Sequence, residues 1–266
     1  MGLLFCQNLS LTHTLRNTTL QFFHPLLEIP VNRWILARHL FVDTFSCVVL
    51  SLLGWWNRHL SLEPMYRAIL GGSSKAPCMT KEGYERRLFG FDQASCRIGV
   101  FFLAYQIKNT IDAVLWNDGA VYIFHHIMAM IGAFGSVHPQ VASYYASFFL
   151  GLSEISTAIL CVFANFQDVG GVVGLGDAFP LTKVVVGCVF VASFVVCRCI
   201  MWPIASYYFV RDAFWALGDN SPLVKGRRTW ILVFVFCLIG LSVLQITWLG
   251  EILTIGYQEL KAVGIF

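Results

Sequence analysis

Two imidazoles stand side by side, His125 and His126, near the start of VYIFHHIMAMIGAFGSV, a stretch otherwise apolar enough to enter a bilayer. A neutral imidazole takes and returns protons near neutral pH, and a carboxylate beside it fixes the tautomer and raises its basicity. Two acids are placed to serve. Asp112 lies in the apolar stretch before the pair and Glu154 in the one after. With WNDG as the first hairpin, centred near 117, Asp112 and the histidines differ in depth by roughly 4–6 Å. With HPQ as the second, centred on Pro139, His126 and Glu154 differ by roughly 3 Å. Three consecutive antiparallel helices therefore bring an acid, two imidazoles and a second acid to a similar level. Neighbours on a helix point about 100° apart, so one imidazole faces an interior cavity while the other touches a neighbouring helix.

Other polar groups sit inside apolar stretches. A charge at the bilayer centre costs about 2.5–3.5 kcal/mol on insertion scales, so such groups turn inward and mark function. Lys108 is one turn before Asp112 and reaches it as a local ion pair, an alternative to a site. Ser153, Ser156 and Thr157 flank Glu154 with hydroxyls, and Arg198 adds a cation further along the chain. His39 and Asp43 also fall within an apolar stretch; Arg97 and Glu251 lie near boundaries, where long side chains snorkel. The competing reading is that the same hydrogen bonds only hold helices together.

The elements that must position these groups are membrane spans. Of 266 residues, 57% are hydrophobic and 12% charged, and mean hydropathy is +0.69. A soluble domain is about a quarter charged, so lipid is the main solvent here. The expected fold is all-α, a polytopic transmembrane bundle, since backbone groups in lipid must be satisfied within helices. Six spans of about 20 residues are predicted, at 34–56, 94–115, 120–137, 141–164, 181–209 and 230–255. VGGVVGLGDAF leaves a re-entrant seventh element open, and Pro203 is expected to kink or end the fifth span. Trp55, Trp56, Trp116, Trp202 and Trp230 fall near predicted ends, as an aromatic belt does.

Basic residues concentrate after spans one, three and five, among them Arg58, Arg67, Lys75, Arg86, Arg87, Arg211, Lys225 and Arg228. The positive-inside rule puts these loops in the cytosol and the N-terminus in the lumen or exterior, where the sequons at Asn8 and Asn17 are usable. A net charge of +3 gives no support to a nucleic-acid partner. The nine cysteines lack zinc or redox spacing and read as small buried hydrophobes. One HH pair and no HxxH give no di-iron ligand set, so no metal site is expected. P-loop, Rossmann and GxSxG motifs are missing from the sequence as well.

The blocks YQIKNTIDAVL, FHHIMAMIG, GLSEISTAIL, CRCIMWP and LQITWLGEIL follow one another in the order and spacing of TLC-domain membrane proteins. The chain resembles that superfamily over about 80–258, and most resembles its small six-span members. Ceramide synthases, translocation-associated membrane proteins and an endoplasmic-reticulum cargo receptor belong to it too. The resemblance implies a helical bundle around a lipid-sized cavity in the endoplasmic reticulum or another endomembrane, with membrane lipids as partners. It implies the organisation 1–33 N-terminal segment, 34–56 first helix, 57–79 polar loop, 80–258 TLC-like domain and 259–266 tail. His125, His126, Asp112 and Glu154 become the candidate catalytic residues, and Lys108, Ser153, Ser156, Arg198, Gln245 and Trp248 line or support the lipid pocket. Where ceramide synthases carry aspartates after the HH pair, this chain has the single acid Glu154. The expected function is therefore to bind lipid and influence membrane lipid or sphingolipid composition, with no cofactor. The alternatives are acyl transfer from acyl-CoA, as co-substrate, to a long-chain amine, and a cargo or translocation accessory role. Self-association is left open.

Overall fold

A computed structural model describes residues 25–59, 81–219 and 221–262. The sequons and most of the polar loop lie outside the described residues. Apolar runs without room for a solvated face become helices, and six are long and apolar enough to cross a membrane. With the amphipathic α2, Lys81–Phe89, they are labelled in chain order. The spans are α1 (Pro30–Trp56), α3 (Gln93–Leu115), α4 (Ala120–Val137), α5 (Ser143–Ala164), α6 (Pro180–Gly218) and α7 (Arg228–Gln258, its helix running on to Ala262). Among the described residues there is no strand. The Gly-rich segment before α6 forms turns and a four-residue helix, Leu175–Ala178. That is about 6 Å of rise against some 30 Å of hydrocarbon, so this segment is no seventh membrane-crossing helix.

Pro203 does not end the fifth span. Instead Val195–Met201 is π-helical immediately before it, and the helix continues to Gly218. Proline lacks an N–H and crowds the carbonyl four residues back; the wider turn preceding it is where the ladder adjusts. Two further π stretches occur, Ala37–Thr44 in α1 and Ser147–Leu152 in α5.

Helix packing resolves the chain into two compact units. The first joins the described residues up to 49 with 154–194. Here Asn32, fully buried, donates to the carbonyls of Leu26 (2.9 Å) and Val173 (3.2 Å) and accepts from the Val173 N–H (2.9 Å). Phe163 stacks on Phe190 with centroids 5.8 Å apart. Glu154 and Ser156 are buried in this unit, and the Cys47 thiol donates to Glu154 Oε2 at 3.7 Å.

The second unit joins the described residues of 50–153 with those from 195 onward. Small residues set its close approaches. A Cβ on Gly54 would meet the Ser147 carbonyl at 2.6 Å and the Leu152 N–H closer still, so α1 and α5 touch backbone to backbone. Gly99 lets α3 lie against Ser136 and Val137 of α4; Gly135 admits Trp230, and Gly240 admits Met128, which seats α4 on α7. These pairings run in opposite directions along the chain, so α4 and α7 are antiparallel. Trp202 is buried and its indole N–H donates to Ser242 at 3.0 Å. It ties α6 to α7 and is no part of the aromatic belt, whereas Trp55, Trp56 and Trp116 are exposed. The described cysteines carry no disulfide; Cys47, Cys197 and Cys237 are buried, but Cys188 is exposed on an apolar helix face.

Candidate functional site

In the second unit, α3 and α4 form a hairpin through Asn117, Asp118 and Gly119, with positive φ at Asn117 (56°) and Gly119 (108°). Asparagine and glycine are the residues that tolerate this conformation at least cost. The hairpin brings His126 opposite Gln106, where Nδ1 lies 2.8 Å from Oε1. The amide oxygen only accepts, so Nδ1 carries the proton. Gln106 is itself buried, which fixes the imidazole's plane as well as its tautomer.

The imidazole is thus partnered by a carboxamide of the facing helix. Asp112 lies six residues beyond Gln106, about 9 Å further along α3, and its Oδ2 receives the Lys108 ammonium at 2.8 Å. Both side chains are nearly enclosed, at 12% and 4% exposure. One turn separates them, the spacing at which helical side chains meet, and a charge pair in lipid is far cheaper than two separate charges.

His125 points elsewhere. Its ring meets the Trp248 indole edge-on with centroids 5.1 Å apart, while Tyr122, one turn earlier, stacks on the same indole at 6.2 Å. The antiparallel seating of α4 on α7 accounts for this level. His125 Nδ1 is buried with no hydrogen-bond partner in the protein. Gln245, one turn before Trp248, is 5% exposed, and neither its amide oxygen nor its amide nitrogen has a partner. Arg198, in the π stretch of α6, is buried, stands over the Trp202 ring at 5.4 Å and acts electrostatically on His125. Ser153 turns its hydroxyl back to the Phe149 carbonyl at 2.8 Å.

Of the residues singled out from sequence, the second unit thus brings His125 onto Trp248, with Gln245 one turn away on α7 and Arg198 in electrostatic range. His126 is bound to Gln106, and Lys108 to Asp112. Glu154 and Ser156 belong to the first unit. Gln106 carries no charge, so ionisable residues alone do not point to it. Reflecting His126 through the hairpin at 117 points to position 108, two residues away, so the signal was present.

A second polar cluster lies at the other end of α4's unit, where α2, α5 and α6 meet. Arg87 grips Asp212 through two nitrogens, at 2.5 and 2.7 Å, and the Tyr145 hydroxyl donates to Asp212 Oδ2 at 2.6 Å. Burial alone lowers the affinity of the Arg87 guanidinium for its proton, but the bonded Asp212 more than restores it, so the net shift is upward. Beside it, the Tyr84 hydroxyl and the Lys81 ammonium share Asp219, and Ser221 donates to Glu85 at 2.7 Å. Burial, then the bond to Asp219, pushes the Tyr84 phenol well above its ordinary range. The bond to Asp219 likewise raises Lys81. Arg87 was read from sequence as one of the cytosolic loop charges. Its spacing from Tyr84 and next to Leu88, all three buried, is the one-face pattern of an amphipathic helix.

Among the described residues no group of three or more His, Cys, Asp or Glu side chains converges on a point. No curated protein and no solved structure matches the chain. The model of the TLC domain matches residues 34–254, taking in all of the spans from the first to most of the last. By that match, and by six apolar helices that carry the described chain through a bilayer, this integral membrane protein belongs to the TLC-domain family.

Proposed function

We propose that this protein binds a membrane lipid in its second unit, beside α4 and α7, and so influences the lipid or sphingolipid composition of an endomembrane such as the endoplasmic reticulum. One observation carries the choice of binding: beside the indole of Trp248, which both Tyr122 and His125 meet, His125 Nδ1 and the Gln245 amide are buried with no partner in the protein. The neutral amide of Gln106 fixes the tautomer and orientation of His126, so that contact positions α4. Family membership and the aromatic walls supplied by Tyr122 and Trp248 support an acyl-chain ligand in the same place.

A second reading draws on the same contact. With its proton on Nδ1, His126 presents the Nε2 lone pair as a base or nucleophile, as acyl transfer from acyl-CoA to a long-chain amine requires. Protein purified in mild detergent decides between them. Native mass spectrometry is expected to find a retained lipid, and incubation with sphingoid base and acyl-CoA to give no turnover. Turnover by wild type that is lost in His125→Ala/His126→Ala would replace the first reading with the second; absence of any retained lipid would remove the first.

A further inference from the structure

The adjacent histidines are not equivalent, and Gln245 explains the difference. His126 is satisfied within the protein by Gln106. His125 Nδ1 and both polar atoms of Gln245 are buried and unsatisfied. Each such group costs about 1–3 kcal/mol when left without a partner, and three of them occur on helices that the His125–Trp248 contact holds together. Gln245 and Trp248 are three residues apart and share one face of α7, which puts Gln245 within one turn of the residue whose ring His125 touches.

The set of missing partners specifies a ligand chemistry. Gln245 Nε2 needs an acceptor and Gln245 Oε1 needs a donor. His125 Nδ1 takes either, according to its tautomer. An anionic headgroup such as a carboxylate offers acceptors only, and it leaves Oε1 buried without a donor at about 1–3 kcal/mol. A purely hydrocarbon ligand leaves all three unsatisfied. An uncharged headgroup holding both a donor and an acceptor, an amide or hydroxyl, satisfies the set.

We infer that Gln245, together with His125, reads the headgroup of an uncharged lipid carrying both a hydrogen-bond donor and an acceptor, while His126 is locked to Gln106 and positions its own helix. This rests on the lipid-binding reading above and adds the ligand class and the residue that selects it.

Photolabelling in nanodiscs tests it, with two diazirine probes of equal chain length: an N-acyl ethanolamine, uncharged, and the corresponding fatty acid, anionic. Wild type is expected to be labelled preferentially by the amide probe, on peptides of α4 or α7. Gln245→Leu, which matches the side chain in bulk and removes both polar atoms, should lose amide labelling about tenfold or more, the equivalent of one hydrogen bond of about 1.4 kcal/mol. Thermal unfolding of the same variant should be unchanged or raised, which separates loss of recognition from loss of fold. Gln245→Glu, which keeps the acceptor and loses the donor, should fall as well and should not gain labelling by the fatty acid. Equal amide labelling of wild type and Gln245→Leu, or preferential labelling of wild type by the fatty acid, overturns the inference while lipid binding stands. No labelling by either probe, with no retained lipid, overturns both.

Discussion

The two polar clusters of the second unit are built from similar side chains and are finished differently. Around Asp212, every group faces a partner of opposite character: a two-pronged guanidinium on one side and a phenol on the other. Around Trp248, an imidazole nitrogen and a whole carboxamide are buried with none. Burying a charge in a bundle is tolerable when its partner is buried with it, and removing one member is then severe. Burying an unpaired amide has only a cost unless something from outside completes it. The first cluster has the character of architecture, and the second has the character of a binding surface.

Breaking the architectural cluster should have the largest effect. Asp212→Ala strands Arg87 inside the unit and should lower stability by about 3–5 kcal/mol, read as a large fall in the unfolding midpoint in detergent. If the midpoint does not move, the two clusters do not differ as described. Tyr145→Phe removes one hydrogen bond to the same carboxylate and should cost about 1.5–3 kcal/mol, with the fold otherwise kept. At the other cluster, Gln245→Leu exchanges an unsatisfied amide for an apolar group and should leave stability within about 0.5 kcal/mol of wild type or raise it. A loss as large as that of Asp212→Ala would make Gln245 a structural residue.

The smallest expected effect is a pH dependence confined to the edge of the first cluster. Tyr84 and Lys81 both hold their protons more tightly when folded. Their contribution to stability is complete below their ordinary range near 10. Above it the unfolded chain releases protons first, so stability falls as pH rises. Tyr84→Phe should flatten that alkaline fall without altering stability trends near neutrality, as followed by unfolding midpoints between about pH 8 and 11.

How much of this was legible in the sequence differs from residue to residue. The spans were, because transfer of a segment into lipid depends on its own residues and little on their partners. The same holds for the hairpin at Asn117–Gly119, whose residues suit the backbone they adopt. Arg87 shows where reading by charge alone fails: it counts with its neighbour Arg86 as a loop cation, yet Arg86 is exposed and Arg87 is buried against Asp212. Only the helical face distinguishes them. Trp202 fails in the same way, since closeness to a proline suggested a helix end and the π stretch carries the helix through.

By itself the sequence determined six crossings, the family pattern and which polar residues enter the bilayer, since each is a sum over local side-chain free energies. Tertiary structure alone decided that His126 pairs with Gln106, that Lys108 pairs with Asp112, and that His125 Nδ1 and the Gln245 amide are buried without a hydrogen-bond partner. A hydrogen bond requires two groups from separate helices to meet within about 3 Å, and that distance follows from how glycines and aromatic side chains seat one helix on another.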